Sequence, residues 1–149
     1  RLIAIIGDVA HSRVARSNIH ALTALGARVR VGGPPAWVAG FEDRAVEVAT
    51  SLPEALEGAD AVMTLRVQSE RGAVAGVGSL SEYVRDWRLD ETRMRLAGPG
   101  APVLHPGPTN EGVELTAELA NGPRSRIGRQ VEHGVTVRMA VLALVAGVA

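Results

Sequence analysis

The sequence has no cysteine and no lysine, so all 16 residues in its Lys+Arg count are arginine. Without a thiol the chain cannot supply a cysteine nucleophile, a disulfide or a cysteine-bound zinc. Without a lysine it cannot form a Schiff base or use the phosphate-binding lysine of a P-loop. Zero cysteine fits any redox compartment. Long hydrophobic runs are missing too: 46% of residues are hydrophobic, yet no continuous apolar stretch approaches the roughly 18 residues of a membrane span. Charge of either sign is not in excess, since the formal net charge is +0, and the molecule as a whole offers no special attraction to nucleic acid or acidic membranes. No charged-then-apolar signal peptide precedes the first apolar segment, which favours the cytoplasm. These absences predict a soluble protein that binds neither nucleic acid nor membrane.

What is present fits one domain over residues 1–149, enough for a core of its own. Leu2 to Ile6 is an unbroken aliphatic run ending at Gly7-Asp8, as in a buried parallel strand meeting a turn. From Ser12, apolar residues Ala15, Ile19 and Leu22 recur at helical spacing, and Gly26 follows as a stop. Further strands are predicted at Arg28 to Val31, Val46 to Ala49, Ala61 to Leu65 and Ala101 to Leu104. Helical pieces are predicted at Leu52 to Leu56, Ser81 to Trp87, Glu91 to Ala97 and from Gln130 onward. Residues 66–78 read as an exposed polar loop, and a second long loop follows His105. The valines and glycines of the terminal helix weaken its intrinsic propensity, so packing is expected to hold it. Strands alternating with helices predict an α/β fold: a doubly wound, Rossmann-like parallel sheet of about five strands with helices on both faces. Its ligands should lie outside the carboxyl ends of the strands.

Three clusters fall after predicted strands. In the first, His11, Arg13 and Arg16 crowd the start of a helix, where the macrodipole disfavours positive charge. Either Asp8 and solvent neutralise them, or an anionic substrate does. In the second, Arg66 emerges after the fourth strand with Gln68 nearby, and a planar guanidinium suits a carboxylate. Glu70 and Arg71 read as a solvated pair. The third, His105-Pro106-Gly107-Pro108, offers carbonyl acceptors and a possible cis peptide before Pro108. Together they describe a site able to hold two carboxylates on two arginines while aiming carbonyls at an amide. No nucleophile or metal set appears, and no cofactor is expected. Gly7-Asp8-Val9-Ala10-His11 lacks the G-x-G-x-x-G loop of a nucleotide-binding Rossmann protein.

The segments His11 to Asn18, Leu65-Arg66-Val67-Gln68 with Glu70-Arg71, and His105 to Pro108 resemble, in order and spacing, those of aspartate carbamoyltransferases. Gly134 to Ala140 is similar to that family's last helix, and the resemblance covers essentially the whole chain. It implies that Arg13, Arg66 and Gln68 bind L-aspartate and that Pro106, Gly107 and Pro108 contact carbamoyl phosphate, with no cofactor. It also implies that this is the aspartate-binding domain, and that an amino-terminal carbamoyl-phosphate domain is absent from the sequence. That domain carries a Ser-Thr-Arg-Thr motif and receives a lysine from a neighbouring subunit. The intact family member would be a homotrimer, with dihydroorotase or regulatory chains as further partners, and this chain alone would be inactive. Its terminal helix would lie partly exposed where the other domain belongs. The related ornithine carbamoyltransferases typically carry His-Cys-Leu-Pro where this sequence has His-Pro-Gly-Pro, and a cationic substrate would not suit Arg13 and Arg66. A non-catalytic binding or regulatory domain of the same fold is the alternative from another functional class.

Overall fold

A computed structural model describes residues 1–41, 46–67 and 78–148. Among the described residues, five strands form one wholly parallel sheet: β1 (Leu2–Ile6), β2 (Arg28–Gly32), β3 (Glu47–Ala49), β4 (Ala61–Thr64) and β5 (Val103–Leu104). Their spatial order is β3-β2-β1-β4-β5. The chain therefore runs outward from β1 to one edge, then returns to β1 and runs to the other. That reversal makes the carboxyl ends of β1 and β4 the switch point of the sheet, where such folds bind ligands.

Both faces of the sheet are covered, as a parallel sheet requires. On one face Ile5, Val29, Val31 and Met63 pack with Ala15 and Ile19 of α1 (Arg13–Ala24). On the other, Ala4, Ile6, Val62 and Val103 pack with Leu52, Ala55 and Leu56 of α3 (Leu52–Leu56) and with Tyr83 and Trp87 of α4 (Leu80–Trp87). The short α2 (Pro35–Val38) sends Trp37 to one core and Val38 to the other. Successive residues of β1 and β4 thus serve opposite faces, so the apolar run of β1 is continuous rather than alternating.

The predicted elements recur with shifted ends. The third, fourth and fifth strands are shorter than expected, and the expected helix over Glu91 to Ala97 is a single 3-10 turn at Arg93–Leu96. Asp90 starts it by accepting the Arg93 N–H at 2.8 Å, and Met94 is the residue it buries. The loop after His105 contains a short helix, α5 (Ala117–Asn121), capped by the Thr116 hydroxyl and anchored by buried Leu119. The terminal helix α6 (Ile127–Ala146) starts earlier than Gln130, and none of its residues is buried. Within the described residues only its start is held, by half-buried Ile127 against the core and by Gln130 accepting the His105 N–H; the apolar residues beyond are exposed, as the resemblance implied.

At the β2–β3 edge, Glu47 accepts hydrogen bonds from Arg28 Nε at 3.0 Å and Arg30 Nε at 2.9 Å. The Arg28 hydrogen bond, opposed by burial and reinforced by that of Arg30, holds the Glu47 carboxyl below its ordinary value of 4.5. A carboxylate lowered in the folded state contributes stability that is fully present above the ordinary value and lost as pH falls through the lowered one. Because the Glu47 side chain is 39% exposed, that contribution is at most about 1 kcal/mol. Urea unfolding at a series of pH values should show Glu47→Gln losing part of the wild-type slope below pH 4.5. Equal slopes for the two proteins would mean that the pair does nothing for acid stability.

Candidate functional site

Three adjacent strands, β1, β4 and β5, end on the same edge of the sheet, and the segments that follow them meet. Asp8, His11, Ser12 and Val14 after β1, Leu65 and Arg66 after β4, and Pro106 and Gly107 after β5 line a cavity of about 250 Å³. Whole small-molecule pockets run to about 300–1,000 Å³, so this one suits part of a site.

The first wall depends on a close approach of backbones. Gly7 N–H donates to the Gly32 carbonyl at 2.8 Å, and a Cβ on Gly33 would sit 2.5 Å from the Gly7 oxygen. Only glycine lets the β1 and β2 ends converge there. Asp8 then receives both the backbone N–H (3.2 Å) and Nδ1 (2.8 Å) of His11. Ser12, in extended conformation, caps α1 by accepting the Ala15 N–H at 3.1 Å. The helix has no acidic residue in its first turn. Asp8 therefore answers His11 alone among the three basic side chains expected to share it. Arg16 donates instead to the Ala10 carbonyl at 2.6 Å. Arg13 is exposed on the first turn of α1, outside the cavity lining, and forms no hydrogen bond or ion pair among the described residues.

Arg66 is half-buried on the second wall, directly after buried Thr64 and Leu65. Gln68, Glu70 and Arg71 lie outside the described residues. The third wall is the His105 to Pro108 turn. Gly107 has φ +70°, and the Gly107–Pro108 peptide is cis, the isomer that the sequence allowed. Pro106 and Gly107 face the cavity, whereas Pro108 is exposed and outside its lining.

Beneath this wall lies a buried polar network that the sequence reading missed. His105 and Glu114 are both fully buried, with His105 Nε2 3.1 Å from Glu114 Oε1. The same oxygen accepts the Asn110 N–H at 2.6 Å, and Asn110 Nδ2 donates to the Val67 carbonyl at 3.0 Å. Tyr83 is buried nearby against Trp37, their ring centres 5.2 Å apart. Burial, then the charges of Glu114 and Asp8, push the Tyr83 phenol above its ordinary range and keep it neutral.

A larger cavity of about 510 Å³ lies between α3 and α4, lined in part by Ser51, Leu52, Trp87 and Arg93. Its arginines are already committed, Arg93 to the Arg85 and Arg88 carbonyls and Arg85 to Asp86. The smaller cavity is the one where strand ends, a half-buried arginine and the His105 to Pro108 turn coincide.

Comparison with known proteins bears on this geometry. Residues 1–145 match the family described as aspartate/ornithine carbamoyltransferase, Asp/Orn binding domain. The aspartate carbamoyltransferase catalytic subunit of Beijerinckia indica is 56% identical over 142 residues, covering 95% of this chain and 45% of that protein. The chain thus spans about half the length of the curated relatives it matches. Among solved structures, an aspartate transcarbamoylase from Trypanosoma cruzi in complex with carbamoyl phosphate and aspartate is 28% identical with TM-score 0.69, covering 95% of this chain and 47% of that one. The ornithine carbamoyltransferase from Pyrococcus furiosus shares the fold with TM-score 0.82 at 24% identity, covering 96% of this chain and 49% of that one. By its sequence over residues 1–145, this chain belongs to the Asp/Orn-binding domains of the aspartate/ornithine carbamoyltransferases.

Proposed function

We propose that this chain is the aspartate-binding half of an aspartate carbamoyltransferase, which joins carbamoyl phosphate to L-aspartate and releases phosphate. The observation that carries this reading is the meeting of Arg66 with the Pro106–Gly107 turn in one cavity at the switch point of the sheet. The relatives that share this sequence at 51–56% identity are named for aspartate rather than ornithine, and an arginine wall suits an anionic amino acid.

In this reading Arg66 forks onto a carboxylate of L-aspartate, while Arg13 and Gln68 hold its other polar groups. For that role Arg13 swings toward the ligand from its exposed position on the first turn of α1. The Pro106–Gly107–Pro108 turn offers carbonyl acceptors to the carbamoyl NH₂ group. The aspartate amine, once deprotonated, attacks the carbamoyl carbon. A C–N bond forms, the C–O bond to phosphate breaks, and the released proton passes to phosphate or solvent. Such a transfer needs no covalent enzyme intermediate. The residues act by holding amine and carbon in attack geometry and by stabilising developing charge.

Groups for the phosphate belong, in this reading, to a carbamoyl-phosphate domain outside these 149 residues. The whole protein is proposed to be a cytoplasmic homotrimer, and dihydroorotase or regulatory chains are further candidate partners. The test is direct. Full-length protein given carbamoyl phosphate should form carbamoyl-aspartate from L-aspartate and no citrulline from L-ornithine, whereas the 149-residue chain alone forms neither. Citrulline as the main product, binding of L-aspartate without turnover in the full-length protein, or full turnover by this chain alone would each overturn it.

A further inference from the structure

We propose that Glu114 is a positioning residue of this site, fixing the tautomer of His105 and thereby the Pro106–Gly107 segment that lines the cavity. The inference rests on the carbamoyl-transfer reading for its kinetic consequences, but its structural content stands apart from that reading.

The assignment follows from donors and acceptors. Gly107 N–H lies 2.8 Å from His105 Nδ1. A backbone amide can only donate, so Nδ1 must present its lone pair. The ring proton then sits on Nε2, which donates to Glu114 Oε1 at 3.1 Å. The opposite tautomer would set Nδ1–H against the Gly107 N–H, two donors facing each other, and the turn would have to move. The partner of one ring nitrogen thus sets what the other can do. The His105 N–H is held as well, donating to Gln130 Oε1 at 3.1 Å.

Glu114 also joins two walls of the cavity. Its Oε1 takes the Asn110 N–H, and Asn110 Nδ2 reaches the Val67 carbonyl beside Arg66. One carboxylate oxygen therefore ties the turn after β5 to the segment after β4. Placing a carboxylate in a fully buried position between Val113 and buried Leu115 is costly. A leucine there would leave the buried His105 ring N–H and the Asn110 N–H without their acceptor. It could not select the Nε2–H tautomer or hold Asn110.

The test combines a tautomer readout with kinetics. Two-bond ¹H–¹⁵N correlations of the His105 ring in this chain at neutral pH should show the Nε2–H form in the wild type and in Glu114→Gln, which keeps an oxygen acceptor in place. In the full-length protein, Glu114→Ala should lower kcat by about 10²-fold, the cost of a misplacement near 1 Å, with little change in the KM for L-aspartate. Glu114→Gln should recover most of that loss. An Nδ1–H ring in the wild type overturns the proposal, as does a Glu114→Gln variant as impaired as Glu114→Ala, or a Glu114→Ala variant that turns over normally. If Glu114→Ala does not fold, the wild-type tautomer and the activity of Glu114→Gln still decide. Wild-type full-length protein that shows the Nε2–H ring yet transfers no carbamoyl group would sink the functional reading and leave the tautomer assignment standing.

Discussion

Replacing Arg66 by alanine in the full-length protein is expected to raise the KM for L-aspartate and to lower kcat/KM by about 30- to 4,000-fold. The estimate follows from the cost of truncating one partner of a largely desolvated, hydrogen-bonded charge pair, about 2–5 kcal/mol, at about 1.4 kcal/mol per tenfold. Arg66 merits the larger figure because it is half-buried on the cavity wall, behind a strand end that cannot shift without breaking the β4 pairing with β1. Arg66→Lys should fall between wild type and alanine. It keeps a charge but loses the planar fork that engages both carboxylate oxygens. Steady-state kinetics with L-aspartate varied at saturating carbamoyl phosphate would measure this. An unchanged KM in Arg66→Ala would remove Arg66 from the aspartate site, and with it the main reason for preferring an anionic amino acid.

Arg66 also shows what could be read from the sequence. Its position follows from two local signals, a short apolar run that ends and a charged residue directly after it. The same logic found β1, the start of α1 near Ser12 and the His105 to Pro108 turn, each specified by neighbours within a few residues. Convergence of the three clusters could be anticipated because a parallel sheet puts all its carboxyl strand ends on one edge. Features set by tertiary contact were not legible. α5 is five residues long and buries only Leu119, too short for a helical period to register. Glu114 stands alone between Val113 and Leu115, and nothing local marks it as the acceptor for a histidine nine residues earlier. The side chain of Arg13 stood on the same footing as that of Arg66 in the sequence. The structure separates them, because α1 begins at Arg13 and turns that side chain to the outside.

The other large effect concerns α6. Along its length Val135, Val137, Met139, Val141, Leu142, Leu144 and Val145 are each more than half exposed, and they surround the helix rather than forming one stripe. A helix that is apolar all round belongs in an interior. The valines together with Gly128 and Gly134 make it a weak helix former by propensity, so its stability has to come from contacts made beyond the described residues. In the proposed function that cover is the carbamoyl-phosphate domain. Amide hydrogen exchange on the 149-residue chain should therefore find α6 exchanging far faster than β1, β2 and β4, and adding the separately produced partner domain should slow α6 selectively. Leu142→Glu combined with Leu144→Glu should abolish that protection. Each buried leucine contributes about 1.5–3 kcal/mol, and losing two weakens association by about 10²- to 10⁴-fold. The sheet should stay folded, because its core contains neither leucine. Protection of α6 equal to that of β1 in the chain alone would show that the helix needs no partner, and the apolar surface would then call for a different explanation.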